Sequence, residues 1–295
     1  MTMVSLASEK KKRSILNKKE ILSYLQSQGL SPNKAYGQHF LISSKYIEAI
    51  VTAIRPQPDD CILEIGPGPG ILTVPLSRCV KKLICVEIDA GFARMLAEQF
   101  SAMKQVTIVH DDFLKLPAVQ ECTKVVGNLP YNVSSQIIFK VAKYYTVSQC
   151  FFLIQKEMAE RLIAKPGSKN YSAFTVGVQL HFEVHRLFDV PPSAFYPPPK
   201  VHSTFVQLTR KKELPLTESQ ITLFEQLVAT AFWARRKMLK TALKRSPYIT
   251  FDELCIAQAF EALGFDVKVR GEELSLDDFI ALTKYFHHHQ HVKDQ

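Results

Sequence analysis

Apolar residues change their rhythm twice along this chain. Over residues 14–29, Leu16, Ile21, Leu22 and Leu25 recur near the helical period. Ser14 stands where a cap belongs and Gly29 suits a left-handed stop, so an amphipathic helix is predicted there. A polar, glycine-bearing loop at 32–41 leads to a second helix at 44–54, ended by Pro56 and Pro58. From residue 61 the pattern becomes short β-branched runs, at 61–65, 82–88, 106–110, 124–127 and 150–154, alternating with helical segments at 90–100, 135–145 and 156–164. Such alternation predicts a mostly parallel, doubly wound sheet with helices on both faces. After Gly167 the strand-like runs 174–182, 184–188 and 201–208 follow one another and are expected to extend the sheet in antiparallel fashion. Beyond a charged hinge at 210–215, helices are predicted at 218–244, 251–263 and 275–286. The fold class expected is α/β, a Rossmann-like core at 34–210 with a helical extension at 1–33 and a small all-α C-terminal domain at 211–295.

Composition narrows the class. With 46% hydrophobic and 22% charged positions in 295 residues, the chain is of ordinary globular make-up. No apolar run approaches the ~20 residues that span a bilayer, and Glu9, Lys10, Lys11, Lys12 and Arg13 occupy the place of an export signal's apolar stretch. A soluble, cytoplasmic protein without a membrane partner is expected. The six cysteines form no C-x-x-C pair, which suggests free thiols in a reducing compartment. His287, His288, His289 and His291 have no thiolate at ligand spacing, so they read as a solvated tail and no metal is expected.

Charge adds a partner. The net charge of +9 is uneven: residues 205–245 carry nine basic and three acidic side chains, whereas 246–295 carry four and nine. A positive body with an acidic end suits a polyanion held on one side. Within 232–245, read as one helix, Arg235, Arg236, Lys237, Lys240, Lys244 and Arg245 stand without any acid, and Leu239, Ala242 and Leu243 give it an inward face. Arg235, Arg236, Lys237 and Lys240 are the candidate contacts to the phosphates of that polyanion.

The first core strand runs into Glu64, Gly66, Gly68 and Gly70 of LEIGPGPG and then a helix, the place where doubly wound folds bind nucleotides. The sixth position of the dinucleotide fingerprint is Ile71 rather than glycine, which argues against NAD. The spacing suits a ligand without pyrophosphate, whose amino-acid tail lies on glycine backbone while Glu64 engages its ammonium group, directly or through water. Glu87 ends the second strand, placed to accept both ribose hydroxyls, and Asp112 ends the third, placed to accept from an adenine amine. Together these describe S-adenosylmethionine, with S-adenosylhomocysteine as product.

The fourth strand ends in Asn128, Leu129, Pro130 and Tyr131. An exocyclic base amine is a poor nucleophile because its lone pair is delocalised into the ring, and acceptors on its hydrogens favour the pyramidal nitrogen that attacks a methyl group. The Asn128 side-chain oxygen and the Leu129 carbonyl would be those acceptors. Tyr131 offers a ring on which an extruded base stacks.

At these residues the chain resembles the ribosomal RNA adenine N6-dimethyltransferase family, the kasugamycin-resistance dimethyladenosine transferases. The matching segments are AYGQHFL (35–41), ILEIGPGPGILT (62–73), VEID (86–89), VVGNLPYNVSS (125–135), QKEMAERL (155–162), FYPPPKVHS (195–203) and AFWARRKMLK (231–240). The resemblance implies a methyltransferase core with a helical C-terminal domain, and dimethylation of two adjacent adenosines near the 3′ end of small-subunit (16S) rRNA, on RNA or a pre-30S particle; a monomer is expected. It carries cofactor contacts to Leu41, Gly66, Glu87, Asp112 and Asn128, with His39 where the family more often has Asn, and it implies that Phe195 holds the target base opposite Tyr131. The proline-rich segment 195–199 independently reads as a stiff rim around a base pocket. Two other readings stay open: a related large-subunit (23S) rRNA adenine methylase, and a ribosome-assembly factor with secondary methylase activity.

Overall fold

The computed structural model describes residues 18–27, 29–33 and 36–290, so Ser14, Leu16 and His291 of the predicted features lie outside the described residues. The chain divides into two compact units, one formed up to Ala159 and by Val184–Arg210, the other by Glu160–Glu183 and from Lys211 onward.

In the first unit, α1 (Lys18–Ser27) and β1 (Phe40–Leu41) precede α2 (Ser44–Ile54). Ile47, Ile50 and Ile54 bury one face of α2, and Arg55, left-handed at φ 48°, ends it just before Pro56. Next come β2 (Cys61–Ile65), the single turn α3 (Thr73–Leu76), β3 (Lys82–Glu87), α4 (Ala90–Gln99), β4 (Val106–His110), β5 (Lys124–Asn128), α5 (Ser134–Tyr144) and β6 (Gln149–Gln155). Asp89 caps α4 by accepting the Gly91 and Phe92 N–H groups. β2 is buried along its whole length, as a strand covered on both faces must be.

After α6 (Lys156–Leu162) and α7 (Ala173–His181), the chain adds β7 (Phe182–Val190), β8 (Phe195–Tyr196) and β9 (Ser203–Arg210). The sheet order is β4-β3-β2-β5-β6-β9-β7. Pairing is parallel from β4 through β6 and antiparallel between β6 and β9, with Phe152 opposite Val206. The chain leaves β2 toward β3 and β4, then returns to β5 on the other flank of β2. The carboxyl ends of β2 and β5 therefore border the crevice in which such sheets bind ligands. A separate two-stranded ladder sets Leu41 of β1 opposite Phe195 of β8.

In the second unit, α8 (Glu218–Trp233), α9 (Leu239–Arg245), α10 (Glu253–Leu263) and α11 (Leu276–Gln290) surround a core that includes Phe224, Leu227, Leu243, Phe260 and Phe279. Thr217 and Gln220 exchange the hydrogen bonds of a capping box. Asp252 caps α10 and left-handed Gly264 stops it.

Three expectations need correction. Residues 174–182, expected as a strand, fall almost wholly in the helix α7 (Ala173–His181): Val176 and Leu180, one turn apart, pack into the helical core, and that burial outweighs the β-preference of Thr175, Val176 and Val178. The long helix 218–244 is two helices separated by a turn. The tail is helical through His287, His288 and His289, and His289 stacks on Tyr285 with ring centroids 4.0 Å apart. Among the described residues no helix is long and apolar enough to cross a membrane, and no cluster of His, Cys, Asp or Glu is placed to hold a metal ion.

Candidate active site and nucleic-acid surface

At the carboxyl end of β2 the backbone turns through Gly66 (φ 64°) and Gly68 (φ 53°), conformations that glycine adopts without strain. A Cβ on Gly68 would stand 3.0 Å from the Phe40 ring, so the turn also needs a bare backbone there. Glu87, at the end of β3, binds this turn: one carboxylate oxygen accepts the Gly68 N–H at 2.8 Å and the other accepts the Asp89 N–H at 2.9 Å. Burial raises the Glu87 pKa, while these two N–H donors oppose the shift.

Glu64 does not face the cleft. It is 2% exposed and accepts the Thr73 hydroxyl at 2.8 Å and the Cys85 thiol at 3.6 Å. Burial pushes its pKa up to about 7. These bonds tie the last residues of β2 to Thr73 of α3 and to Cys85 of β3, behind the glycine turn. Leu41 is likewise a core residue.

A cavity of ≈ 240 Å³ lies along the next strand ends, lined by Gly66, Ile88, Asp112, Phe113 and Ile137 among others. Its outer wall is the turn after β4, where Asp112 accepts the Leu114 N–H at 2.9 Å. Lys140 of α5 holds that turn by donating to the carbonyls of Phe113, Leu114 and Leu116. Its ammonium also lies 5.2 Å from the Phe113 ring centroid. Burial lowers its pKa, and the nearby Asp112 charge works the other way. Sequence reading missed Lys140, because nothing local distinguishes it from the other lysines of an amphipathic helix. It also missed Tyr36, which lines this cavity and the adjoining cleft at Gly68 and Glu87.

Asn128 ends β5 and lines the cleft at Gly68 and Glu87. Its amide nitrogen donates to the His39 carbonyl at 2.7 Å. A carbonyl only accepts, so this bond fixes the amide with its oxygen on the other side. Leu129 N–H bonds to the Leu153 carbonyl at 3.0 Å, and Pro130, lacking an N–H, carries that ladder no further. Tyr131 is held at its hydroxyl by Ser203 at 2.8 Å and stacks on the His39 ring, centroids 5.5 Å apart. The His39 Nδ1 bonds to the Pro197 carbonyl at 2.7 Å, and so carries the proton. His39 thereby joins the loop before β1 to the Asn128 turn and the proline segment.

A larger cavity, ≈ 770 Å³, is lined by His39, Tyr131, Gln155, Tyr196, Pro198 and Lys200, among others. Phe195, expected on this rim, is 2% exposed and packs with Leu41 and Phe205. The exposed aromatic is Tyr196, at 40%. Successive strand residues point to opposite faces, so pairing with β1 that turns Phe195 inward turns Tyr196 out.

The basic segment 232–245 is not one helix: residues 234–238, with Arg235, Arg236 and Lys237, form a turn between α8 and α9, and Lys240, Lys244 and Arg245 lie on α9. Arg235, expected to lack an acidic partner, pairs with Glu272 and donates to the Ser168 and Lys169 carbonyls. Lys244 pairs with Glu253 at 2.5 Å. Glu272 is 37 residues from Arg235 and Glu253 lies on the next helix, so neither is a helical neighbour of the cation it pairs with. Arg236 and Lys237 are exposed, and Lys240 half-buried.

A doubly wound sheet with a glycine turn after its first core strand, acids at the ends of the next two and a small helical unit defines a Rossmann-like methyltransferase. The family profile described as "Ribosomal RNA adenine dimethylase" matches residues 29–286, and this chain belongs to that family. The "Ribosomal RNA small subunit methyltransferase A" of Nitrosospira multiformis is 38% identical over 259 residues, 87% of this chain and 96% of its own. Among solved structures, a dimethyladenosine transferase from Plasmodium falciparum aligns with a TM-score of 0.75 and 27% identity over 84% of this chain and 98% of its own. A 23S rRNA methyltransferase, ErmE, aligns at 0.64 and 25% over 83% and 98%.

Proposed function

We propose that this protein transfers methyl groups from S-adenosylmethionine to the N6 amines of two adjacent adenosines near the 3′ end of small-subunit rRNA. The observation that carries the chemistry is the Asn128 amide, whose orientation the 2.7 Å bond to the His39 carbonyl fixes. Its oxygen and the Leu129 carbonyl accept the two amine hydrogens, which favours the pyramidal, nucleophilic nitrogen. Tyr131, pinned by Ser203 and backed by His39, is the platform on which the extruded adenine stacks. No strong general base is needed, since the methylated ammonium is acidic enough to lose its proton to water. The residues do their work by positioning and by fixed dipoles.

The cofactor fits the cleft on two grounds: Gly66 and Gly68 line it together with Glu87, and Asp112 lines an adjoining cavity with Ile88, Phe113 and Ile137. When bound, S-adenosylmethionine supplies an electrophilic methyl group on sulfur and leaves as S-adenosylhomocysteine. Glu87 would hold the ribose hydroxyls, Asp112 the adenine amine, and Lys140 the turn that carries Asp112. Small-subunit RNA is favoured over large-subunit RNA because the 38% identical relative bears the small-subunit name, whereas the 23S enzyme is 25% identical.

The test is transfer of labelled methyl to purified small- and large-subunit RNA and particles, followed by mapping of blocked adenosines. Label on two adjacent adenosines of the small subunit is expected. Label on the large subunit would favour the alternative, and none on either would overturn the reading.

A further inference from the structure

Trp233 is the only tryptophan in the sequence. It ends α8 with 51% of its surface exposed. A half-exposed indole is costly to leave in water, and isolated surface apolar residues ordinarily need no explanation. Here the surroundings supply one. Arg236, Lys237 and Met238 of the same turn are exposed too. Among the described residues Arg236 and Lys237 enter no ion pair, and the sequence has no acid between Glu225 and Asp252.

The turn is tied down on both sides. Before Trp233, Phe232 stacks on Phe279, centroids 6.2 Å apart, and Ala231 is so close to Gly271 that a Cβ on that glycine would come within 2.5 Å of the Ala231 carbonyl oxygen. After it, Arg235 is bound to Glu272 and to the Ser168 and Lys169 carbonyls. Met238 bridges to Arg270, and the Leu239 N–H bonds to the Val269 carbonyl at 2.7 Å. Trp233, Arg236 and Lys237 are thus exposed on a short turn whose neighbours are fixed, an arrangement that loses little conformational freedom when it binds.

We propose that Trp233 is a stacking platform for an unpaired RNA base, with Arg236 and Lys237 on the adjoining phosphates. The π-face accepts any base, and the cations supply the backbone attraction. The charge of the segment is what favours RNA over a protein partner. This deepens the RNA-methylation reading above and rests on it for the identity of the polyanion.

The lone tryptophan makes its own reporter. The full-length protein is titrated with a single-stranded adenosine-rich oligoribonucleotide and with the same strand annealed to its complement, following both tryptophan emission and filter binding. Quenching by the single strand and much less by the duplex is expected. Trp233→Ala should weaken single-strand binding by about 5- to 100-fold without changing its log-log salt slope, because stacking releases no counterions. Trp233→Phe should recover most of the loss, and thermal melting of both variants should match the parent. Emission unchanged at saturating oligonucleotide, or an affinity of Trp233→Ala within twofold of the parent, overturns the proposal. So does quenching by RNA-free ribosomal protein with none by the oligonucleotide. Methyl transfer to RNA with unchanged emission would overturn this proposal alone, whereas quenching with no methyl transfer to any RNA would uphold it and sink the activity.

Discussion

The Glu87 carboxylate accepts the N–H of Gly68 across the sheet at 2.8 Å, so the residue expected to bind a ribose also holds the glycine turn in shape. Glu87→Ala should therefore do two things. Losing a charged acceptor, worth about 1.5–3 kcal/mol per hydrogen bond, should weaken S-adenosylhomocysteine binding by at least about tenfold. The Gly68 and Asp89 N–H groups, left without this acceptor, should lower the melting temperature. RNA affinity should hold. Calorimetry showing an unchanged cofactor affinity would remove Glu87 from the site.

Asn128→Ala should reduce the transfer rate by about 100-fold or more, the usual scale for removing one fixed transition-state contact. RNA binding should change little, because the adenine still has the Tyr131 ring. Activity within a few-fold of the parent in a labelled-methyl assay would rule out the acceptor role.

Glu64 gives a pH-dependent stability. Burial pushes its pKa up to about 7 from 4.5, so between these values the folded state holds a proton that the unfolded state has released. Stability falls as pH rises through that window, and the full cost of the buried charge is present above it. Glu64→Gln removes the cost. Its melting temperature relative to the parent should be flat or negative near pH 4 and turn positive, on the order of several degrees, by pH 8. A difference that does not vary with pH would mean that Glu64 is not the titrating group.

Arg235 and its neighbours should separate. Arg235→Gln breaks the bonds to Glu272 and the two carbonyls and should cost stability, about 1–3 kcal/mol in denaturant unfolding. Arg236→Gln with Lys237→Gln should leave stability alone and lower the salt slope of RNA binding by up to ~0.7–0.9 for each phosphate that is no longer neutralised. If Arg235→Gln changed the slope and not the stability, the roles would be reversed.

Lys140→Met should loosen the Asp112 turn, since the carbonyls of Phe113, Leu114 and Leu116 lose their shared donor. The expected signature is a raised KM for S-adenosylmethionine with kcat and RNA affinity retained. A fall in kcat at saturating cofactor would place its role elsewhere.

What the sequence determined by itself was whatever is written in local pattern. Short, largely apolar runs such as Cys61–Ile65, spaced between helical segments, read as strands covered on both faces. The alternation of strand and helix dictates the parallel order, and with it the meeting of the Gly66 turn, Glu87, Asp112 and Asn128 at one edge. Pro130 stops its strand wherever it falls. Tertiary structure decided what depends on distant partners. The β1–β8 ladder decided that Phe195 turns inward and Tyr196 outward. Packing of Val176 and Leu180 made a helix of a β-branched segment, since burial outweighs propensity differences of well under a kilocalorie per residue. Glu272, remote in sequence, turned Arg235 from a free surface cation into a paired one that ties the turn down. With no glycine or proline between Trp233 and Leu239, only these long-range bonds mark where α8 ends and the exposed basic turn begins.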